Sequence, residues 1–403
     1  MNERLTRLQD YPFTRLGHLL APVDRPSQQS AIALSIGEPR HRPAEFLLDI
    51  LADRDQLAQD LRSYPATRGS DGLRAAICDW LSRRFDVSLD PGAQVLPVNG
   101  TREALFSVAQ ACLSGASGTL VGMPNPFYQI YEGAALLAGA QPLYMNCTSA
   151  TGFCQDFAAL DDDALGPDVW QRLQLLYLCS PGNPTGQVTA TDALVPLVQK
   201  ALEHDVILVA DECYAEIYRD ESNPPASLLN ACIEAGNHDY RNCLVMHSLS
   251  KRSNLPGLRS GFVAGDAHLM QAYLQYRTYH GCAMSAHHQR VSIAAWQDDA
   301  HVADNRALYR RKFAVVQPIL EPHFDLRAPE AGFYHWLPTP IDDEQFTKRL
   351  VETQNVTVLP GRYLGREAQG FNPGANYVRI AWVSEFEQCV EGAMRLAEFA
   401  KTL

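Results

Sequence analysis

The sequence predicts an α/β protein with two domains, the larger of which is built on a mostly parallel sheet between helices. The chain has 403 residues, more than one compact core usually holds, so two domains are expected. Short apolar segments alternate with helical segments, and right-handed connections between them are expected. The apolar segments are continuous enough to be strands covered on both faces, which is typical of parallel sheets.

Four apolar segments are the strands predicted for the large domain. They are residues 120–123 (LVGM), 175–179 (LLYLC), 206–210 (VILVA) and 243–247 (CLVMH). Residues 102–113 and 193–204 predict two of the helices between them. Each predicted strand runs into a polar or Gly/Pro-rich loop, and ligands of open α/β sheets bind at such carboxyl ends. We therefore expect the functional residues in these loops.

The C-terminal part of the chain has a different pattern. Segments beginning at Gly332 (GFYHWLP), Val356 (VTVLPG) and Tyr377 (YVRIAWV) predict strands, and residues 385–403 predict a helix. This pattern is typical of a smaller α+β domain. We expect it to cover residues 283–403, after a large domain over 46–282. Residues 1–45 are loop-rich and are expected to join the small domain.

Composition excludes several classes of function. A net charge of −12 argues against a nucleic-acid partner that is held through its phosphates. No apolar run is long enough to cross a membrane, and residues 1–13 lack the apolar core of a signal peptide, so a cytoplasmic protein is expected. The ten cysteines form no CxxC pair, and the twelve histidines lack metal-ligand spacing. We expect neither disulfides nor a metal site.

Asp211 and Lys251 are the first candidates for chemistry. Asp211 ends an apolar strand, so its carboxylate could act as a base, a metal ligand or a partner for a cation; alternatively it caps the following segment. Lys251 lies among small hydroxylated residues, where loss of solvent would lower its pKa and make it a usable nucleophile. Arg259 and Ser248 nearby could fix a phosphate. The alternative for this stretch is a solvated basic loop.

Two further loops are candidates for binding. Gly100 and Thr101 precede a predicted helix, and a helix start with exposed N–H groups favours an anion. Simple N-capping is the alternative there. In residues 180–186 (SPGNPTG), prolines and glycines fix a turn that orients the Asn183 amide, and a plain turn is the alternative.

These segments together resemble the class I/II aminotransferases of pyridoxal 5′-phosphate (PLP) fold type I. The resemblance rests on SPGNPTG (180–186), ADECY (210–214), SLSKRSNLPGLRSG (248–261) and YVRIA (377–381). Their order and spacing match from Tyr64 to Arg379. The resemblance implies an aspartate aminotransferase-like fold, PLP as cofactor, and ping-pong transfer of an amino group between amino acids and 2-oxo acids.

The resemblance also implies roles for residues around the cofactor. Lys251 matches the lysine that binds PLP covalently and moves the substrate proton, and Asp211 matches the partner of its ring nitrogen. Asn183 and Tyr214 match the groups that bond the ring oxygen. The matches to the remaining contacts are Gly100, Thr101, Arg102, Ser248 and Arg259 at the phosphate and Tyr128 stacked on the ring.

Other implied roles concern the substrate and the assembly. Arg379 matches the arginine that binds the substrate α-carboxylate, and Ile36 and Gly37 match the segment that closes over the substrate. Tyr64 matches a tyrosine that reaches the cofactor phosphate of a neighbouring subunit, which implies a homodimer. A buried structural tyrosine is the alternative for Tyr64.

The substrate is implied by a narrower resemblance. The segments SIGEPRH (35–41), 248–266 and LPGRYLGRE with NPGANYVRIAWV (359–383) are similar to bacterial N-succinyldiaminopimelate aminotransferases of lysine biosynthesis. Such a substrate carries extra carboxylates, for which Arg40, Arg68 and Arg102 are candidates; the alternative for each is a surface arginine. No role is assigned to His41.

Other functions on the same fold are alternatives. The donor could instead be aspartate, alanine or an aromatic amino acid, or the enzyme could be a PLP-dependent C–S lyase. A PLP-binding transcription regulator would need an N-terminal DNA-binding domain. The first core motif begins by Ser35, so that reading is set aside.

Overall fold

The computed structural model describes residues 1–162, 165 and 168–403. The strands are β1 Ile32–Ala33, β2 Val95–Val98, β3 Leu120–Asn125, β4 Gln141–Asn146, β5 Leu173–Cys179, β6 Ile207–Asp211, β7 Cys243–Ser248, β8 Gly261–Gly265, β9 Tyr334–Pro338, β10 Val356–Thr357, β11 Leu359–Pro360 and β12 Tyr377–Ala381. The α-helices are α1 Pro12–Leu20, α2 Glu45–Ala52, α3 Arg54–Asp60, α4 Asp71–Phe85, α5 Thr101–Cys112, α6 Ile130–Ala138, α7 Val169–Arg172, α8 Thr191–His204, α9 Leu228–Glu234, α10 Leu249–Arg252, α11 Ala267–His280, α12 Ala286–Gln297, α13 Ala300–Leu320, α14 Asp343–Gln354 and α15 Phe386–Ala400. Short 3₁₀ helices cover Glu3–Arg7, Ser149–Thr151, Ala158–Leu160, Pro256–Leu258 and Gly361–Tyr363.

A seven-stranded sheet with the order β2-β8-β7-β6-β5-β3-β4 forms the centre of the described chain. Strands β7, β6, β5, β3 and β4 are parallel, whereas β8 is antiparallel to both of its neighbours, β7 and β2. Strand β2 therefore runs in the same direction as β7. The predicted α/β class with a mostly parallel mixed sheet is confirmed. The carboxyl ends of β2, β3, β5, β6 and β7 consequently share one edge.

The continuous apolar sequence of the central strands follows from burial on both faces. Every residue of β7 is buried. Along this strand Val245 packs in the core that contains Trp80, whereas Leu244 and Met246 pack in the core on the opposite face. Successive side chains of a strand point to opposite faces, so both sets must be apolar.

A second, antiparallel sheet has the order β11-β12-β9. Strand β1 pairs in parallel with β10, with Ile32 opposite Val356, so the N-terminal segment packs with the C-terminal part of the chain. The domain boundaries after residues 45 and 282 stay a prediction. Residues of α12, among them Val291 and Trp296, belong to the same hydrophobic core as Trp80, which favours counting α12 with the large sheet.

An ion pair joins the C-terminal part of the chain to the large sheet. Both nitrogens of the Arg366 guanidinium fork donate to Glu132 on α6, at 2.8 and 2.6 Å, and both side chains are buried. The Tyr144 hydroxyl donates to the same carboxylate at 2.6 Å, and the Asn125 side chain accepts from the Arg366 backbone N–H at 2.9 Å. This cluster holds the loop around Arg366, which connects Gly361–Tyr363 to β12, against the carboxyl end of β3.

Two expectations from composition can be compared with the fold. Among the described helices, none combines the length and the apolar character that a membrane crossing needs. The ten cysteines are all free thiols, so none forms a disulfide.

Candidate active site

A cavity of about 610 Å³ opens at the edge where the carboxyl ends of the strands meet. Strand ends of the large sheet, the N-terminal segment and β12 all contribute to its walls. The predicted site residues that line it are Ile36, Gly37, Thr101, Arg102, Tyr128, Asn183, Asp211, Tyr214, Ser248, Lys251, Arg259 and Arg379. Gly100 packs against the Arg259 guanidinium. Tyr64 does not line this cavity.

Asp211 ends β6 and presents a buried carboxylate to the cavity. The Tyr131 hydroxyl donates to its Oδ2 at 2.8 Å, and the Cys213 backbone N–H donates to Oδ1 at 3.3 Å. Burial raises the pKa of the Asp211 carboxyl, while these hydrogen bonds act against that rise. A cation at this place would favour the charged form of the carboxylate. Tyr131 was missed by the sequence reasoning, because no local pattern marks its contact with a residue so distant in sequence.

Lys251 lies on the one-turn helix α10 that follows β7. Its ammonium group donates to the Gly37 carbonyl oxygen at 3.2 Å, so the N-terminal segment lies over the lysine. Burial lowers the pKa of Lys251 from 10.5 to about 8, and the nearby Arg259 acts in the same direction. The charges of Asp211 and Glu38 oppose this shift. The amine is therefore partly neutral near physiological pH, as a nucleophile or proton carrier requires.

One end of the cavity is suited to an anion. Helix α5 begins at Thr101 with Gly100 as its N-cap, so no side chain occupies the first N–H groups of the helix. Gly100 has φ +85°, and a β-carbon there would lie 2.5 Å from the Arg259 guanidinium. The Ser248 hydroxyl, 2.9 Å from that of Ser250, lines the same wall. A guanidinium, hydroxyl groups and a helix N-terminus therefore converge on one place.

Arg379 on β12 lies at another wall of the cavity and is buried. It donates to the Asn183 side-chain oxygen at 3.0 Å and to the Ser35 carbonyl oxygen at 2.9 Å. Its Nε is buried and has no hydrogen-bond partner within the described part of the chain. Arg379 thus has a fixed guanidinium with a donor still to satisfy, which suits a carboxylate ligand.

Tyr334 on β9 contacts three of the predicted site residues. Its hydroxyl lies 3.0 Å from that of Tyr214, and the Arg379 guanidinium stands over its ring at 4.5 Å from the centroid. A β-carbon at Gly37 would collide with the Tyr334 hydroxyl, so only glycine fits there. The sequence pattern predicts Tyr334 on a strand but not at the site, since a tyrosine in an apolar strand gives no functional signal.

Of the three arginines that are candidates for binding a distal carboxylate, Arg102 is the one that lines the cavity. Its Nε donates to the Tyr128 hydroxyl at 2.7 Å and its Nη2 to the Tyr11 hydroxyl at 3.1 Å, and all three residues line the cavity. Arg40 and Arg68 are exposed and lie outside the cavity wall, and Arg68 donates to the Gly92 carbonyl oxygen. Tyr11 was missed, because it lies in the loop-rich N-terminal segment.

Tyr64 is fully exposed in the single chain, with a relative accessibility of 101%. The alternative of a buried structural tyrosine is therefore wrong. The structure does not bring Tyr64 together with the other predicted site residues of the same chain.

Comparison with known proteins decides the family. A family model described as aminotransferase class I and II matches residues 29–387. The chain belongs to the class I and II aminotransferases. Members of this family depend on PLP, and the expected cofactor is confirmed.

Individual relatives of this aminotransferase extend over nearly its whole length. It is 33% identical over 366 residues to 4-dedimethylamino-4-oxo-anhydrotetracycline transaminase OxyQ of Streptomyces rimosus, across 91% of this chain and 92% of that one. It is 29% identical over 406 residues to an LL-diaminopimelate aminotransferase of Dehalococcoides mccartyi, across 99% and 98% of the two chains. A crystal structure of an aminotransferase from Neisseria meningitidis superposes with a TM-score of 0.93 at 43% identity, covering 99% of both chains. The expected fold type I architecture is confirmed.

The walls of the cavity in this aminotransferase are compatible with PLP. A phosphate suits the place where Arg259 and the start of α5 converge, and no side chain at Gly100 fills that place. A protonated ring nitrogen suits the buried carboxylate of Asp211, whose ionised form needs a cation nearby. The Lys251 amine reaches the same cavity.

The pKa of Lys251 can be measured directly in cofactor-free protein. Trace acetylation over a range of pH, with peptide mapping by mass spectrometry, should give a midpoint near 8 for Lys251, because burial disfavours its charged form. A short unstructured lysine peptide, with the ordinary lysine pKa of about 10.4, serves as the reference. A Lys251 midpoint that coincides with that of the reference peptide would contradict the described burial of the amine.

Proposed function

We propose that this aminotransferase moves an amino group between N-succinyl-LL-2,6-diaminopimelate and 2-oxoglutarate, by a ping-pong mechanism, in lysine biosynthesis. The observation that carries this proposal is the guanidinium of Arg102, which lines the same cavity as that of Arg379, in addition to Arg259 at the end suited to a phosphate. Two guanidinium groups suit a substrate with an α-carboxylate and a distant carboxylate. The relatives named as LL-diaminopimelate aminotransferases support the same class of amino donor.

The cofactor would be held at three places in this proposal. Arg259, Ser248 and the N–H groups at the start of α5, from Gly100 to Arg102, would bind its phosphate. Asp211 would lie at the ring nitrogen and Tyr128 against the ring face. Tyr214 and Asn183 would donate to the ring oxygen. When bound, the cofactor supplies the electron sink for the carbon from which the substrate proton is removed.

Lys251 is the residue proposed to move that proton. Its pKa of about 8 leaves a useful fraction of neutral amine at physiological pH, which can take up a proton and return it at a neighbouring atom. The hydrogen bond from Nζ to the Gly37 carbonyl oxygen fixes the direction of the side chain. Ile36 and Gly37 would cover the substrate and restrict the entry of water.

Arg379 is proposed to orient the substrate. Its contacts with Asn183 and the Ser35 carbonyl oxygen fix the plane of the guanidinium, so that a carboxylate is bound in one orientation. Tyr334 supports both Arg379, through its ring, and Tyr214, through its hydroxyl. The substrate carbon would thereby be held within reach of Lys251.

Unmodified LL-diaminopimelate is a second candidate donor. Glu38 lines the same cavity, and its carboxylate would suit a free distal ammonium group rather than a succinyl amide. Aspartate, alanine, aromatic donors and a lyase reaction are the remaining alternatives, and a comparison of donors separates them.

A panel of donors combined with Arg102→Ala tests the substrate. Wild-type enzyme should prefer N-succinyl-LL-diaminopimelate over LL-diaminopimelate, aspartate, alanine and tyrosine. Because the Arg102 backbone N–H is kept, Arg102→Ala should raise KM for the preferred donor about 10- to 100-fold, as expected for a lost charge-assisted hydrogen bond, with little effect on alanine. Arg40→Ala and Arg68→Ala are the matched controls.

Some results of this comparison of donors would contradict the proposed substrate or the proposed reaction. Preference for aspartate or tyrosine, or an equal effect of Arg102→Ala on all donors, would count against the proposed substrate. Steady release of pyruvate from a single amino acid, without a 2-oxo acid, would indicate a lyase.

We propose further that the enzyme is a homodimer in which Tyr64 reaches the cofactor phosphate of the neighbouring subunit. The complete exposure of this phenol in the single chain supports the proposal. A residue that serves the partner's cavity makes the isolated subunit incomplete.

Mixing two inactive or impaired variants tests this arrangement. Tyr64→Phe should reduce activity by the loss of one hydrogen bond, about 1–3 kcal/mol, and Lys251→Ala should abolish it. In a mixed dimer, the site that keeps Lys251 would receive Tyr64 from its partner, so subunit exchange should restore activity above that of Tyr64→Phe alone. Activity that never exceeds the sum of the separate variants would count against the shared site.

A further inference from the structure

Residues 37–41 of the N-terminal segment are connected to Lys251 at two points. At one end the Gly37 carbonyl oxygen accepts from Lys251 Nζ at 3.2 Å. At the other end His41 Nδ1 lies 3.1 Å from the Asn305 side-chain oxygen. The Asn305 amide in turn donates to the carbonyl oxygens of Lys251, at 3.0 Å, and Arg252, at 3.3 Å. The side chain of Lys251 is thus hydrogen-bonded directly to this short segment, and its backbone is connected to the same segment through Asn305.

The direction of these hydrogen bonds is set by Lys312. Its Nζ lies 2.7 Å from His41 Nε2, and an ammonium group can only donate, so Nε2 must accept. His41 Nδ1 then carries the proton and donates to Asn305, whose amide N–H₂ is left to donate to the backbone of Lys251. Only neutral His41, in this one tautomer, satisfies both of its neighbours.

Lys312 connects this network to the strand that carries Arg379. The ammonium group is buried, with a relative accessibility of 2%, and donates to the carbonyl oxygens of Trp382, at 3.2 Å, and Ser384. Trp382 directly follows β12, and Ser384 lies two residues further on. The His41 ring also packs on Tyr309, with 4.6 Å between the ring centroids. Each member of the network therefore has partners that fix its position.

We infer that His41 is a positioning residue, which holds segment 37–41 against the backbone of Lys251 and so sets where the lysine amine lies in the cavity. This inference rests on the proposed role of Lys251. Burial lowers the pKa of His41, and the charge of Lys312 acts in the same direction against the opposing effects of Asn305 and Glu385, which keeps the ring in the required neutral form.

Cofactor-free protein provides the first test. His41→Phe keeps a ring against Tyr309 but loses both hydrogen bonds, whereas His41→Asn keeps an N–H donor near the place of Nδ1. Arg42→Ala, at an exposed side chain that directly follows the segment and pairs with Glu45, is the control. The readouts are the pKa of Lys251 by trace acetylation and hydrogen exchange in peptides that span residues 32–46.

The inference predicts a graded result. In His41→Phe the pKa of Lys251 should rise from about 8 toward 10.5 as water reaches the amine, and the segment should exchange faster. His41→Asn should lie between His41→Phe and wild type, and Arg42→Ala should match wild type. If His41→Phe folds and matches wild type in both readouts, the inference is overturned.

A second variant covers the case in which His41→Phe fails to fold. Asn305→Ala breaks the same network at its next member and should shift the pKa of Lys251 in the same direction. If it folds and leaves that pKa unchanged, the inference is overturned as well. In the cofactor-loaded enzyme, both variants should slow a single turnover with the amino donor about 10- to 100-fold.

Failure of the proposed function can be distinguished from failure of the inference about His41. The proposed function fails if wild-type enzyme, loaded with cofactor, does not prefer N-succinyl-LL-diaminopimelate among the donors, whatever the variants show. The inference about His41 fails if wild type transfers the group and the variants leave the amine and the segment unchanged.

Discussion

A buried carboxylate at the end of β6, that of Asp211, is the feature around which the cavity is organised. A charge removed from water is costly unless hydrogen bonds or an opposite charge compensate it. Tyr131 and the Cys213 backbone N–H supply part of that compensation. The rest is open to a bound cation, and the neighbouring strands β5 and β7 direct Asn183 and Lys251 toward the same cavity.

The geometry of Lys251 depends on chain segments far from α10. Its amine contacts the N-terminal segment, and its backbone is held by Asn305 of α13. The network through His41 and Lys312 reaches the residues after β12, the strand of Arg379. The group proposed to move the proton and the group proposed to bind the substrate carboxylate are therefore fixed by one set of buried contacts.

Sequence alone predicts the class of fold and the residues at the strand ends, because both are encoded locally. An apolar run that ends in Asp211, or in the turn before Lys251, marks a strand and its carboxyl end at once. Tyr131, Tyr334 and His41 were not recognised, since their partners lie far away in the chain: 80 residues separate Tyr131 from Asp211, and 271 separate His41 from Lys312. Likewise, three arginines beside site motifs were equivalent in sequence, and only the packing of α5 brings Arg102 into the cavity.

The position of the cofactor on the chain can be found by a chemical label. Enzyme loaded with PLP is reduced with borohydride, digested and mapped by mass spectrometry, which identifies the lysine that carries the cofactor. If Lys251 is the lysine that binds PLP, the label is found on the peptide containing Lys251 and is lost from Lys251→Ala. Label on Lys200, Lys312, Lys348 or Lys401 instead, or full turnover by Lys251→Ala, would contradict this role of Lys251.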